Sequence, residues 1–158
     1  MVHIMINMSI NELYQELIID HGTSPRNFFH LENANAQAES YNPLCGDKII
    51  LFLSVKEHKI TQASFQGHGC AISTASASIM TEMLIGKTIE EASQLFIDFT
   101  NTITENNNRS TQTPPSNNHH TLPDKLLALI GVKNYPSRVK CATLAWHTLQ
   151  AAVKDKNL

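Results

Sequence analysis

The stretch "KIILFLSVKEHKITQASFQ", residues 48–66, decides the fold of this chain. Residues 48–55 are rich in β-branched and aromatic types, and residues 59–66 resume this character after the short polar connection "KEHK". Two such runs joined in this way are typical of a β-hairpin. Residues 35–41 are ambiguous alone but could add another strand. The sequence therefore predicts a small antiparallel sheet of about three strands.

Helical patterns surround the predicted sheet. Ser9 and Glu12 form a capping-box pattern at the start of one helix, Thr88 and Glu91 do so at another, and Pro136 opens the last. The predicted helices cover residues 9–21, 70–85, 89–103, about 123–131 and 137–153. A helix, then strands, then several helices indicate an α+β fold, with the small sheet packed against the helices.

The length of 158 residues suits one domain spanning residues 1–158. Residues 104–120 are rich in Asn, Thr and Pro, which predicts a flexible insertion. His119 and His120 lie within it and could bind a metal adventitiously, although a disordered tract is the preferred interpretation.

Charge and hydropathy exclude several classes of function. The formal net charge of −2 gives no pull toward nucleic acid or anionic membranes. No apolar run approaches the about 20 residues of a membrane-spanning helix. The first residues lack the charged and apolar regions of a signal peptide, so we expect a cytoplasmic protein whose thiols stay reduced.

All three cysteines lie at predicted element boundaries. Cys45 sits in a turn after Pro43, and Asp47 begins the next strand, so its carboxylate can turn back toward the thiol. Cys70 starts a helix, where free N–H groups favour a thiolate. Cys141 lies near the start of the last helix, away from its apolar stripe. The cations close to it in sequence, Arg138 and Lys140, predict a lowered thiol pKa.

Three thiolates and one carboxylate, if they converge, suit tetrahedral Zn²⁺. The same sulfur-rich set would suit iron or an iron–sulfur cluster. The sequence contains no CxxC pair, and the three cysteines are far apart along the chain. Spacing alone therefore leaves a second interpretation open, in which the three cysteines are unrelated small buried residues.

Three blocks carry a family resemblance: "NPLCGD" at residues 42–47, "FQGHGCAISTASAS" at 65–78 and "SRVKCATLAW" at 137–146. They resemble the U-type iron–sulfur assembly proteins, which comprise IscU, SufU and the amino-terminal part of NifU. Residues 13–27, "LYQELIIDHGTSPRN", look like the opening helix and loop of the same family. The chain resembles the SufU branch in its last block, in the insertion before it, and in Lys140, where IscU has a histidine.

The resemblance implies a metal set of Cys45, Asp47, Cys70 and Cys141, with Arg138 in a supporting place beside it. In the SufU branch this set would hold Zn²⁺, and Cys45 would accept persulfide sulfur from a SufS-type, PLP-dependent cysteine desulfurase. The chain would then be a sulfurtransferase-like partner of that enzyme rather than a stand-alone enzyme.

Two alternatives remain open. In the IscU branch the same residues would build a [2Fe-2S] cluster and pass it to downstream carriers or apo iron–sulfur proteins, with iron in place of zinc. A third possibility is a purely structural zinc domain that binds a partner protein.

The opening helix and loop carry a second group of candidates, Tyr14, His21, Pro25 and Arg26, together with Asp20 and Asn27. They could form a catalytic-looking cluster, or His21 could simply complement the helix dipole. The resemblance implies a docking surface for the desulfurase, which we prefer. His68 stands where SufU proteins usually have an acidic residue. It could compete as a metal ligand, but we expect a solvated loop residue.

Overall fold

The computed structural model describes residues 9–104 and 122–154. In these residues the element order is α1 (Ile10–Thr23), β1 (Ala36–Asn42), β2 (Asp47–Lys56), β3 (Lys59–His68), α2 (Ala71–Leu84), α3 (Ile89–Thr104), α4 (Asp124–Ile130), a 3₁₀ helix (Gly131–Asn134) and α5 (Pro136–Val153). The α+β fold class predicted from the sequence is confirmed. Apart from Thr104, which ends α3, the predicted flexible insertion with His119 and His120 lies outside the described residues.

The sheet has the order β1-β2-β3, and both strand pairs are antiparallel. The hairpin between β2 and β3 turns at Glu57 and His58, whose φ angles of 52° and 62° are both positive. Two positive φ angles match the right-handed twist of the flanking strands. The turn is thus two residues long, shorter than the four-residue connection expected from the sequence.

Gly67 lets β3 continue two residues beyond its expected end at Gln66. Its φ is 139°, and a Cβ at this position would lie 1.9 Å from the carbonyl oxygen of Lys48. Only glycine tolerates so close an approach between β3 and β2. The strand therefore runs to His68 and delivers the next residues to the start of α2.

The core lies between the sheet and the helices. Leu51, Leu53 and Phe65 of the sheet pack into the same buried cluster as Ile79 of α2 and Trp146 of α5. The opening helix α1 packs on α2 and α4, and α5 packs on both α2 and β1. Consequently the turn before β2, the start of α2 and α5 meet at one end of the sheet. None of the helices described is long and apolar enough to cross a membrane.

Candidate metal centre

Cys45 is the exposed thiol of the centre. It lies in the tight turn between β1 and β2, where the Gly46 N–H donates to the Asn42 carbonyl at 2.8 Å and Gly46 has a φ of 70°. The Asn42 side chain braces this turn, because its Oδ1 accepts from the Leu44 N–H at 3.1 Å and its amide points to the Cys45 sulfur at 3.6 Å. The turn thus presents one sulfur to solvent on a fixed backbone.

Asp47 and Cys70 join the start of β2 to the start of α2. The Asp47 carboxylate is fully buried and accepts from the Cys70 backbone N–H at 3.0 Å. The Cys70 thiol lies 3.9 Å from the other carboxylate oxygen and caps α2 by accepting from the Ser73 N–H at 3.4 Å. Asp47 therefore both orders the helix start and directs an oxygen toward the thiols.

Cys141 is buried in the second turn of α5, where its thiol donates to the Ser137 carbonyl at 3.5 Å. Burial raises the pKa of this thiol strongly, and the neighbouring thiols of Cys45 and Cys70 and the Asp47 carboxylate raise it further. The expectation of a lowered pKa on the polar side of the helix was wrong. The side of α5 that carries Cys141 packs against the rest of the protein, while Arg138 and Lys140 are exposed.

The ligand atoms of Cys45, Asp47 and Cys141 all lie within 4.8 Å of one another, and the two sulfurs are 3.6 Å apart. Cys70 adjoins this group through Asp47. Among the described residues, no cationic side chain forms an ion pair with the buried Asp47 carboxylate. A buried carboxylate without a positive partner is costly. The donor set therefore fits a thiophilic divalent cation such as Zn²⁺, which would supply the missing charge.

Two other candidates from the sequence are close to these ligands along the chain. Arg138 is exposed on the first turn of α5, one turn before Cys141. His68 is the exposed last residue of β3 and is not part of the metal-ligating group.

The candidate docking residues divide into two kinds. Tyr14, Pro25 and Arg26 are partly exposed, and Arg26 pairs with Asp20 at 2.5 Å. The His21 ring is only 1 % exposed, and its Nδ1 lies 2.7 Å from the Ser78 hydroxyl. Because it is buried, His21 cannot present its ring to a partner in this structure, and it fastens α1 to α2 instead.

Sequence reasoning missed two residues that shape the centre. Asn42 braces the Cys45 turn, and its position three residues before the cysteine was an available signal. Gly69 faces the carboxylate, since a Cβ there would lie 2.6 Å from Asp47 Oδ1. Nothing in the local sequence shows that approach, because it depends on the pairing of β2 with β3.

Residues 13–142 match the family model described as the NifU-like N-terminal domain. The chain is 38% identical over 145 residues to "Iron-sulfur cluster assembly scaffold protein IscU" of Streptococcus pyogenes serotype M1, covering 92% of this chain and 85% of that protein. It is 37% identical over 150 residues to "Zinc-dependent sulfurtransferase SufU" of Bacillus subtilis, covering 93% of each.

A solved structure shares the fold. It is the SUF-system scaffold FiSufU of Fervidobacterium islandicum AW-1, with a TM-score of 0.71 and 35% identity over 88% of this chain and 95% of that one. The three comparisons agree on the same family.

Proposed function

This chain belongs to the family of the NifU-like N-terminal domain, and from that premise we propose that it assembles iron–sulfur clusters as a zinc-bound sulfur acceptor. Cys45, Asp47, Cys70 and Cys141 would hold the zinc ion, and Cys45 would accept the sulfur. One observation carries this proposal: Cys45 is the exposed thiol of the three, and it lies 3.6 Å from the buried sulfur of Cys141.

The transfer is a thiol–persulfide exchange. The Cys45 thiolate attacks the terminal sulfur of a donor persulfide, forming a new S–S bond, while the donor's own S–S bond breaks and its cysteine leaves as a thiolate. No net oxidation is needed, since the transferred sulfur is already oxidised in the donor. Bound Zn²⁺ would keep the thiols deprotonated near neutral pH without redox chemistry of its own.

The donor is a cysteine desulfurase of the SufS type. A thiol must be exposed to reach another protein's active site, and Cys45 is the exposed thiol among the three. Tyr14, Pro25 and Arg26 offer a partly exposed surface for docking, and Arg138, three residues before Cys141 in the chain, would act as a supporting cation. We place the reaction in the cytoplasm, where free thiols such as these three stay reduced.

A variant of Cys45 tests the acceptor role. Cys45→Ser should abolish stimulation of a SufS-type desulfurase and leave no persulfide on the peptide that carries residue 45. Leu44→Ala is the matched control, because it changes the neighbouring exposed side chain and keeps the thiol. Normal stimulation by Cys45→Ser would refute the acceptor role.

A second candidate function is a scaffold that builds a [2Fe-2S] cluster as cargo, which the same sulfur-rich donor set favours. Anaerobic reconstitution with iron and sulfide distinguishes the scaffold from the zinc-bound sulfur acceptor. A stable thiolate-to-iron absorption band that moves to an apo-ferredoxin supports the scaffold. Failure to form that band, together with stoichiometric zinc and desulfurase stimulation, supports the acceptor.

A further inference from the structure

Ser76 of α2 is a fully buried serine whose hydroxyl contacts the last helix. The hydroxyl donates to the backbone carbonyl of Ala142 at 2.5 Å, and it accepts from the indole N–H of Trp146 at 3.1 Å. Within the described part of the chain, these are the two side-chain hydrogen bonds that join α2 to α5. One side chain therefore makes both of the directional links between these helices.

The two links lie next to candidate metal ligands along both helices. Ala142 directly follows Cys141, so the carbonyl that accepts from Ser76 belongs to the turn of α5 that carries the buried thiol. At the start of α2, Cys70 caps the helix and donates its N–H to the Asp47 carboxylate at 3.0 Å. Helix α2 is thus bonded to one candidate ligand at its first end and to the neighbour of another in its second turn.

Apolar packing alone would hold α5 against α2 less exactly than these hydrogen bonds do. The two helices pack together, and their buried residues include the small Ala75 and Ala77 of α2 and Ala145 of α5. Apolar contact is non-directional, so surfaces of small side chains can slide or rotate slightly against each other. A hydrogen bond has a preferred length and angle. The Ser76 hydroxyl therefore fixes the position of α5 near the thiol.

We propose that Ser76 is a positioning residue that holds Cys141 at the metal centre through the carbonyl of Ala142. The inference rests on the proposed function in so far as Cys141 is a ligand. Its sulfur already lies within 4.8 Å of the ligand atoms of Cys45 and Asp47, and metal ligands must stay within about 0.5 Å of their productive positions. Without the Ser76 hydroxyl the fold would remain, but α5 could carry the sulfur out of that range.

The test compares Ser76→Ala with Ser78→Ala in the full chain, using Zn²⁺ and Co²⁺ as probes. Ser78 is also fully buried on α2, but its hydroxyl meets the His21 ring and the Arg26 N–H instead of α5. Each substitution leaves a polar group without its partner, so both should lower the thermal unfolding midpoint of the metal-free protein. Only Ser76→Ala should weaken Zn²⁺ binding, by about tenfold in chelator competition, as the loss of groups that orient metal ligands does. Ser78→Ala should bind Zn²⁺ as the parent does.

Co²⁺ gives a readout that a merely structural role would not move, because its ligand-field bands respond to the geometry of the bound ligands. Ser76→Ala should change these bands, and Ser78→Ala should keep the spectrum of the parent. Unchanged bands and unchanged Zn²⁺ affinity in Ser76→Ala would overturn the inference and leave the proposed function intact. An equal loss of affinity in Ser78→Ala would also overturn it, since lost stability would then explain both. If the parent bound neither metal stoichiometrically, the zinc-binding part of the proposed function would fail together with the inference.

A second pair of variants gives the answer if Ser76→Ala does not fold. Trp146→Phe removes the indole N–H and keeps the Ser76 hydroxyl on the Ala142 carbonyl. Adding Ser76→Ala to Trp146→Phe leaves no indole N–H unpaired, so the double variant should be close to Trp146→Phe in stability. The double variant should nevertheless bind Zn²⁺ about tenfold more weakly than Trp146→Phe does. Equal Zn²⁺ affinities in the two would overturn the inference.

Discussion

Gly69 keeps the space in which the Asp47 carboxylate sits. A Cβ at residue 69 would meet Asp47 Oδ1 at 2.6 Å, so the carboxylate would have to move. We predict that Gly69→Ala weakens Zn²⁺ binding about tenfold or more, because a displaced ligand leaves the productive geometry. Chelator competition measures this.

Gly131→Ala is the matched control for Gly69→Ala, because nothing lies within 4 Å of the position a Cβ would take there. Zn²⁺ binding by Gly131→Ala should equal that of the parent. If Gly69→Ala also bound zinc with the parent's affinity, the position of the Asp47 carboxylate would not matter to the metal, which would contradict its role as a ligand.

His21 links stability to pH. Its Nδ1 meets the Ser78 hydroxyl at 2.7 Å, and the same hydroxyl accepts from the Arg26 N–H at 2.8 Å. Burial lowers the pKa of His21, and the nearby cations Arg26 and Lys125 lower it further. Glu82, whose carboxylate is 3.5 Å from the ring, and Asp20 act in the opposite direction. Burial prevails because the ring is almost wholly enclosed.

The sign of the effect follows from this lowered pKa. The unfolded chain takes up the His21 proton first, near the ordinary value of 6.5, so the folded state loses stability as pH falls below that value. We predict that the unfolding free energy of the metal-free protein decreases between about pH 7 and pH 5. His21→Gln should flatten this dependence in denaturant titrations.

His58→Asn is the control for His21→Gln. His58 is an exposed turn residue with positive φ, a conformation that asparagine tolerates. The His58→Asn variant should therefore show the same pH dependence of the unfolding free energy as the parent. If the unfolding free energy fell with pH equally steeply in the parent and in His21→Gln, the pH dependence would belong to other titratable groups.

Among the elements, α2 shows how one residue combines a structural and a chemical role. Cys70 caps the helix through its sulfur and is also a candidate ligand. Serine is a better helix cap than cysteine, so Cys70→Ser should keep the metal-free stability of the parent while losing most of the zinc affinity. Cys70→Ala should lose the zinc affinity and also about 1 kcal/mol of unfolding free energy. Equilibrium unfolding and zinc content measure the two effects separately, and full zinc content in Cys70→Ser would contradict the ligand role.

Local patterns predicted most of these elements. The Ser9 and Glu12 capping box forms as expected at the start of α1, and Thr88 caps α3 by accepting from the Glu91 N–H at 3.1 Å. Caps and turns depend on a few neighbouring residues, so the sequence displays them. The burial of Cys141 and His21 depends instead on which elements pack together. Since α5 is covered by α2 on one side and β1 on another, a single apolar stripe could not reveal that Cys141 is enclosed.

The molecule as a whole brings the four candidate ligands together from the β1–β2 turn, the start of β2, the start of α2 and the second turn of α5. A metal bound there would tie these elements together and stabilise the folded state. At a free metal concentration of about one hundred times the dissociation constant, metal binding would add roughly 2.7 kcal/mol to the unfolding free energy. The large core around Phe65, Phe99 and Trp146 does not include the ligand residues Cys45, Asp47 or Cys70.

Because the core does not depend on those ligands, we predict that the chain stays folded without metal. Chelation should lower the midpoint of thermal unfolding by several degrees and leave the far-ultraviolet circular dichroism and a cooperative transition in place. Cys141→Ser gives the control, since chelator should no longer shift its midpoint. A purely structural zinc domain would behave differently, because the metal supplies its folding free energy. Unfolding of the parent on chelation, with no persulfide after incubation with a desulfurase and cysteine, would favour that alternative over the sulfur acceptor.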